Sequence, residues 1–131
     1  MVRLRRAQMI NLVEHSYFSN IDYRRLGTVL DCFARDAVLS VPGRDHRGRD
    51  SGIKQYLEGL LAAHPLIRHE VIACEADEEG QRLACRFTLR LEDAEGRVRK
   101  SAGSAAFRLV NGKLAEVAVD CDDGDAGGPP A

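Results

Sequence analysis

The sequence predicts a single α+β domain in which the helices come first and an antiparallel sheet follows. Three observations carry that prediction. Apolar residues keep helical spacing as far as Leu61; Leu83, Cys85, Phe87, Leu89 and Leu91 then alternate with Arg82, Arg86, Thr88 and Arg90; and Asn111-Gly112 separates two strand-like runs. A period near 3.6 marks a helix with one buried face, whereas a period of two marks a strand with one packed and one wet face. An Asn-Gly pair suits a type I′ hairpin because both central residues need positive φ.

Each element can be justified in order. Between Leu4 and Phe18, the positions Ala7, Ile10, Val13, Tyr17 and Phe18 predict a first amphipathic helix. Asn20 and Asp22 predict a break and an N-cap, since a short side-chain acceptor satisfies free N–H groups of the following turn. The second helix carries Leu26, Val29, Leu30 and Phe33 on one face and is expected to stop at Asp36. Residues 37–41 read as a short strand turned by Pro42-Gly43, and RDHRGRD as a loop or a very narrow second strand. Asp50 is expected to cap a third helix with the stripe Ile53, Tyr56, Leu57, Leu60 and Leu61, closed by Pro65. Strands are expected at 68–76, 82–92, 98–110 and 113–121, joined by DEEG, DAEG and NG as an antiparallel meander. Residues 1–122 form the domain, and the acidic Gly/Pro-rich tail at 123–131 is expected to fray.

Composition excludes several classes. A chain of 131 residues buries one core without disulfide staples. Nineteen Lys and Arg against twenty Asp and Glu leave a formal charge of −1, without the basic excess that nucleic acid rewards. No run approaches the roughly 18 apolar residues of a membrane span, and Gln8, Asn11 and Glu14 interrupt any signal-peptide core. Cys32, Cys74, Cys85 and Cys121 lack CxxC spacing and a neighbouring His at metal-ligand intervals, so they read as small buried hydrophobes of a reducing compartment. A cytoplasmic protein without metal is the expectation.

The order of elements, with LDCFARDAVLSVPG, HRGRDSGIKQYLEGL and FRLVNGKLAEV, resembles the SnoaL-like and ketosteroid-isomerase-like members of the nuclear transport factor two-like superfamily, from about residue 8 to 122. The resemblance implies a cone-shaped, cystatin-like curved antiparallel sheet wrapped around three N-terminal helices. It also implies a homodimer through the exposed sheet face and an apolar pocket for a small molecule. That superfamily holds isomerases, dehydratases, cyclases and binding modules on one scaffold, so function must come from the pocket residues.

Ketosteroid isomerases need a carboxylate base before the first strand's Pro and an acidic donor in a late strand. The matching positions here are Val41 and Ala105, so the resemblance implies an apolar wall rather than that chemistry. The last-strand acid of the polyketide cyclases falls on Val119, while Asp120 takes the opposite facing by the period-two rule. Scytalone-dehydratase-like members match better, through Asp22 at the helix junction and His69 at a strand start. By that likeness Asp22 would orient His69, His69 would move a proton and Tyr17 would donate to a carbonyl oxygen, with no cofactor.

For each residue a plainer role stays open: Tyr17 as a core phenol, Asp22 as a helix cap, His69 as a surface imidazole. The expected ligand wall is Val41, Phe87, Ala105 and Phe107, with His46 either at the cavity mouth among arginines or in a solvated loop. The small residues Gly103, Ala105 and Ala106 either widen a pocket or permit close packing. The first reading is a small-molecule-binding protein, lyase or isomerase in type, with no nucleic-acid or membrane partner. Alternatives are a binding or assembly module that has lost its chemistry, and a transport adaptor, which the charged strand faces do not favour.

Overall fold

The computed structural model describes residues 2–121, so the tail at 123–131 lies outside the described residues. The first helical rod is continuous: α1 (Arg6–Asn11) runs through a π-helical segment (Leu12–Ser19) into α2 (Asn20–Asp22). Its buried line is Met9, Val13, Tyr17 and Ile21, with Phe18 beside it, while Ala7 is exposed and Ile10 only half-buried. The expected stripe is thus rotated. In an α-helix of about 3.6 residues per turn, positions four apart drift around the axis. Wider π turns cancel that drift and keep the line facing the sheet.

α3 (Leu26–Asp31) is followed directly by β1 (Phe33–Val41) and β2 (Arg44–Arg47). The second helix therefore ends before Phe33 rather than at Asp36. Phe33 is fully buried and pairs with Leu114, so sheet pairing overrides the local helical pattern. β1 and β2 form a hairpin whose turn places Gly43 at φ +80°, and RDHRGRD is a strand, Arg44–Arg47, that runs directly into a helical segment. A π-helical segment (Gly48–Ile53) leads into α4 (Lys54–Ala63). Asp50 caps nothing there: the N-cap position is Arg47, and the Asp50 carboxylate is taken by the Arg49 guanidinium at 2.9 Å.

β3 (Leu66–Asp77), β4 (Arg82–Glu92), β5 (Val98–Val110) and β6 (Lys113–Cys121) form the expected antiparallel meander. The sheet order is β2-β1-β6-β5-β4-β3, and β1 joins β6 in parallel. The sheet is therefore mixed rather than purely antiparallel. A parallel neighbour needs a long crossover, which everything between β1 and β6 supplies. Register irregularities in the β1·β6, β3·β4 and β5·β6 pairings bend the strands, and the curved sheet closes over the helices. Phe18, Phe33, Phe87, Met9, Leu39 and Leu57 fill the core between the layers.

Candidate functional site

The site begins where the first rod ends. The Arg25 N–H reaches the Asn20 carbonyl at 2.8 Å and the Arg24 N–H reaches the Ile21 carbonyl at 3.0 Å, with Arg24 at φ +63°. That pairing is a Schellman stop with arginine in the left-handed position where glycine is usual. The Arg24 guanidinium then donates to the carbonyl of His64 at 2.8 Å and to that of Leu61, at the open end of α4. It satisfies carbonyls that have no intrahelical partner and pins the rod's end against the start of β3.

That pinning delivers Asp22 to His69. Asp22 Oδ1 lies 2.6 Å from His69 Nδ1, and Oδ2 accepts the His69 backbone N–H at 2.8 Å. Both side chains are largely buried, 12% and 9% exposed. Asp22 is not the cap of α3, whose N-cap position is Arg25 with no side-chain bond. A carboxylate only accepts hydrogen bonds, so Nδ1 donates in this contact and Nε2 is the ring nitrogen left for a ligand. The ring packs against Phe18 and Phe87, at centroid distances of 4.9 and 5.3 Å, which fixes its plane.

His69 forms part of the wall of an interior cavity of about 400 Å3. Tyr17, Tyr56, Leu39, Val41, Leu60 and Phe87 contribute to the same wall. A larger hollow of about 760 Å3 lies over the outer face of the sheet, where Arg82, Arg108 and Glu116 give it a charged lining. The interior cavity is the apolar one, with few polar groups facing it, as ligand sites usually are. Burial pushes the Tyr17 phenol far above its ordinary range, and neighbouring Tyr56 adds to the shift. A phenol so held stays neutral and remains a donor. The Tyr17 ring is fixed by edge contacts to Phe18 and Phe107 at 4.9 and 5.3 Å, and the residue lines the cavity.

The structure thus gathers Tyr17, His69, Val41 and Phe87 on one cavity, with Asp22 behind His69. Ala105 and Phe107 are buried in the packed core, Phe107 against the Tyr17 ring. His46 is not in a solvated loop among arginines: its ring stacks on Tyr56 at 4.4 Å, and burial together with Arg44 lowers its pKa. It backs Tyr56, a residue of the cavity wall. Gly103 serves close packing, since a Cβ there would stand 2.6 Å from the Phe87 ring. Asp120 is exposed at the cavity rim. Sequence reasoning missed Tyr56, whose place in the α4 stripe makes it look like a core residue, and Cys121, which ends β6 at the cavity. Among the described residues no three His, Cys, Asp or Glu side chains converge as metal ligands, and no helix is long and apolar enough to cross a membrane.

A curved sheet closed over helices, with an acid–imidazole pair at the wall of an apolar hollow, defines a cavity-bearing α+β cone. The chain belongs to the SnoaL-like domain family, whose pattern matches residues 15–117. A candidate polyketide cyclase from Xanthomonas campestris pv. campestris superposes with a TM-score of 0.79 at 19% identity, over 88% of this chain and 90% of that one. A nuclear transport factor two-like protein of unknown function from Exiguobacterium sp. 255-15 gives 0.75 at 23% identity, over 85% and 98%. AclR, a candidate hydroxylase from Streptomyces galilaeus, gives 0.76 at 20%, over 90% and 77%. At these identities the likeness establishes the shared fold. No curated protein matches the chain.

Proposed function

We propose that this protein is a cofactor-independent acid–base enzyme, lyase or isomerase in type, acting on a neutral apolar small molecule that bears a carbonyl group. The observation that carries the reading is the 2.6 Å contact between Asp22 and His69 Nδ1 at the wall of the apolar cavity. In this reading His69 Nε2 takes a proton from carbon next to the carbonyl, and Asp22 holds the tautomer and steadies the imidazolium that forms. Tyr17 donates to the carbonyl oxygen as negative charge develops on it. A positioned base of this kind contributes about 10²- to 10⁴-fold in rate, and a donor to the developing oxyanion contributes a further factor. A neutral ligand is favoured because, among the described residues, no Lys or Arg lines the cavity. The reading includes a homodimer through the exposed face of the sheet, to be checked by sedimentation.

The test is ligand capture. Native mass spectrometry of the purified protein identifies what co-purifies, and turnover of that compound is assayed in wild type, His69→Ala and Tyr17→Phe. Loss of about 10²-fold or more in His69→Ala supports the reading. Equal turnover in all three removes the site, and a tightly held compound that is never altered makes the protein a carrier instead.

A further inference from the structure

β3 changes facing halfway along its length. Ile67, His69 and Val71 point inward, but Ile72 is 54% exposed and beyond it Cys74 and Ala76 are the residues packed against the core. The pairing gives the cause: Val71 stands opposite Phe87 and Ala73 opposite Arg86, so Ile72 is an extra residue on β3. A one-residue bulge moves every following side chain to the other face. Without it Cys74 would point to solvent. With it Cys74 stands directly opposite Cys85, and both thiols share the packed face.

We infer that Cys74 and Cys85 form a thiol–disulfide modification site, at which a low-molecular-weight disulfide converts the pair into a bridge between β3 and β4. Directly opposed residues of an antiparallel pair have Cα atoms about 4.5 to 5.5 Å apart, within the 4.4–6.8 Å or so that a disulfide spans. Both cysteines are unbridged here. Cys74 is half-buried while Cys85 is 2% exposed, which sets the order of events. The Cys74 thiolate attacks one sulfur of glutathione disulfide and releases one glutathione thiol. The Cys85 thiolate then attacks the Cys74 sulfur of the mixed disulfide and releases the second. The two protein thiols give up two protons and two electrons, and the glutathione disulfide is reduced to two thiols. Burial raises both thiols, so the exchange is slow near neutrality and is followed over hours. The resulting bridge ties the strand that carries His69 to the strand that carries Phe87.

The experiment incubates the folded, reduced protein with glutathione disulfide. Intact mass should fall by two hydrogens, and peptide mapping should recover one disulfide joining Cys74 to Cys85. Cys85→Ser should stop at glutathione attached to Cys74, whereas Cys74→Ser should leave Cys85 unmodified. Thermal unfolding of the oxidised wild type should shift up by several degrees and return with dithiothreitol. Glutathione that remains on Cys74 in the wild type, a bridge to another cysteine, or no reaction in folded protein while a urea-unfolded sample reacts would each overturn the inference.

Discussion

Asp22 grips residue 69 at two points, with Oδ1 on the imidazole Nδ1 at 2.6 Å and Oδ2 on the backbone N–H at 2.8 Å. One carboxylate therefore sets both the strand's position and the tautomer of its histidine. In Asp22→Asn the amide oxygen can keep the backbone bond while the amide N–H faces Nδ1, so the ring proton moves to Nε2. Long-range 1H–15N correlation spectra should report an Nδ1–H tautomer in wild type and the opposite one in the variant. The lost charge-assisted bond should cost about 1.5–3 kcal/mol in urea unfolding. An unchanged tautomer would detach Asp22 from any role in tuning the base.

Arg24 carries two opposed effects. Its φ of +63° costs about 1 kcal/mol in an L-residue, yet its guanidinium closes the end of α4 through His64 and Leu61. Arg24→Ala keeps the backbone penalty and loses the bonds; Arg24→Gly loses the bonds and removes the penalty. Alanine should therefore be the less stable of the two by about 1 kcal/mol by urea titration. Equal stability would mean that the left-handed turn is unstrained.

The parts legible in the sequence are those fixed by local rules. Strict alternation located β4, Asn111-Gly112 located the β5–β6 hairpin, and the stripe from Ile53 to Leu61 located α4. The misplaced parts depend on partners distant in the chain. Phe33 reads as helical until Leu114 is beside it, and the residue that pins Asp22 to β3 is an arginine in a position where sequence rules expect glycine. Asp22 and His69 were found through family likeness, and their pairing is long-range, so no spacing encodes it. Tyr56 escaped because helical periodicity cannot distinguish a face packed on side chains from a face lining a hollow.

Phe87 packs against Gly103, and a Cβ at that glycine would stand 2.6 and 2.7 Å from two ring atoms. Gly103→Ala must push the ring toward its other neighbours, Phe18 and His69. The expected cost is about 1–3 kcal/mol of overpacking, with broadened His69 and Phe87 side-chain resonances. A variant as stable as wild type with unmoved ring shifts would show that the sheet, rather than the ring, absorbs the methyl group.

Alkali should unfold this protein through groups it keeps protonated. Burial raises Cys32 from an ordinary 9.0 to about 12, and its thiol donates to the Val29 carbonyl at 2.9 Å. Below pH 9 folded and unfolded chains both hold that proton, so the full stabilisation is present. Between about 9 and 12 only the unfolded chain releases it, and stability falls as pH rises. Each such group contributes about 1.4 kcal/mol per pH unit, so Cys32→Ala should flatten the alkaline limb of the stability profile by that slope. A limb of unchanged slope would assign the transition to Tyr17, Tyr56 and Cys85, which burial also raises.

Tyr17 offers the sharpest separation between stability and function. The Tyr17 hydroxyl is not among the fully buried polar atoms left unpaired; the residue lines the cavity, and edge contacts of its ring hold it in place. Phenylalanine would preserve the ring contacts to Phe18, Phe33 and Phe107 while deleting the hydroxyl. Tyr17→Phe should therefore melt close to the wild-type temperature. A core tyrosine whose hydroxyl served structure would instead lose about 1 kcal/mol on the same change. Binding supplies the second reading. A naphthyl ketone dye whose emission moves to the red when its carbonyl is hydrogen-bonded should emit further to the red in wild type than in Tyr17→Phe. Stability held or raised together with blue-shifted emission identifies the hydroxyl as a group kept for a ligand. Lowered stability with unshifted emission returns it to the core.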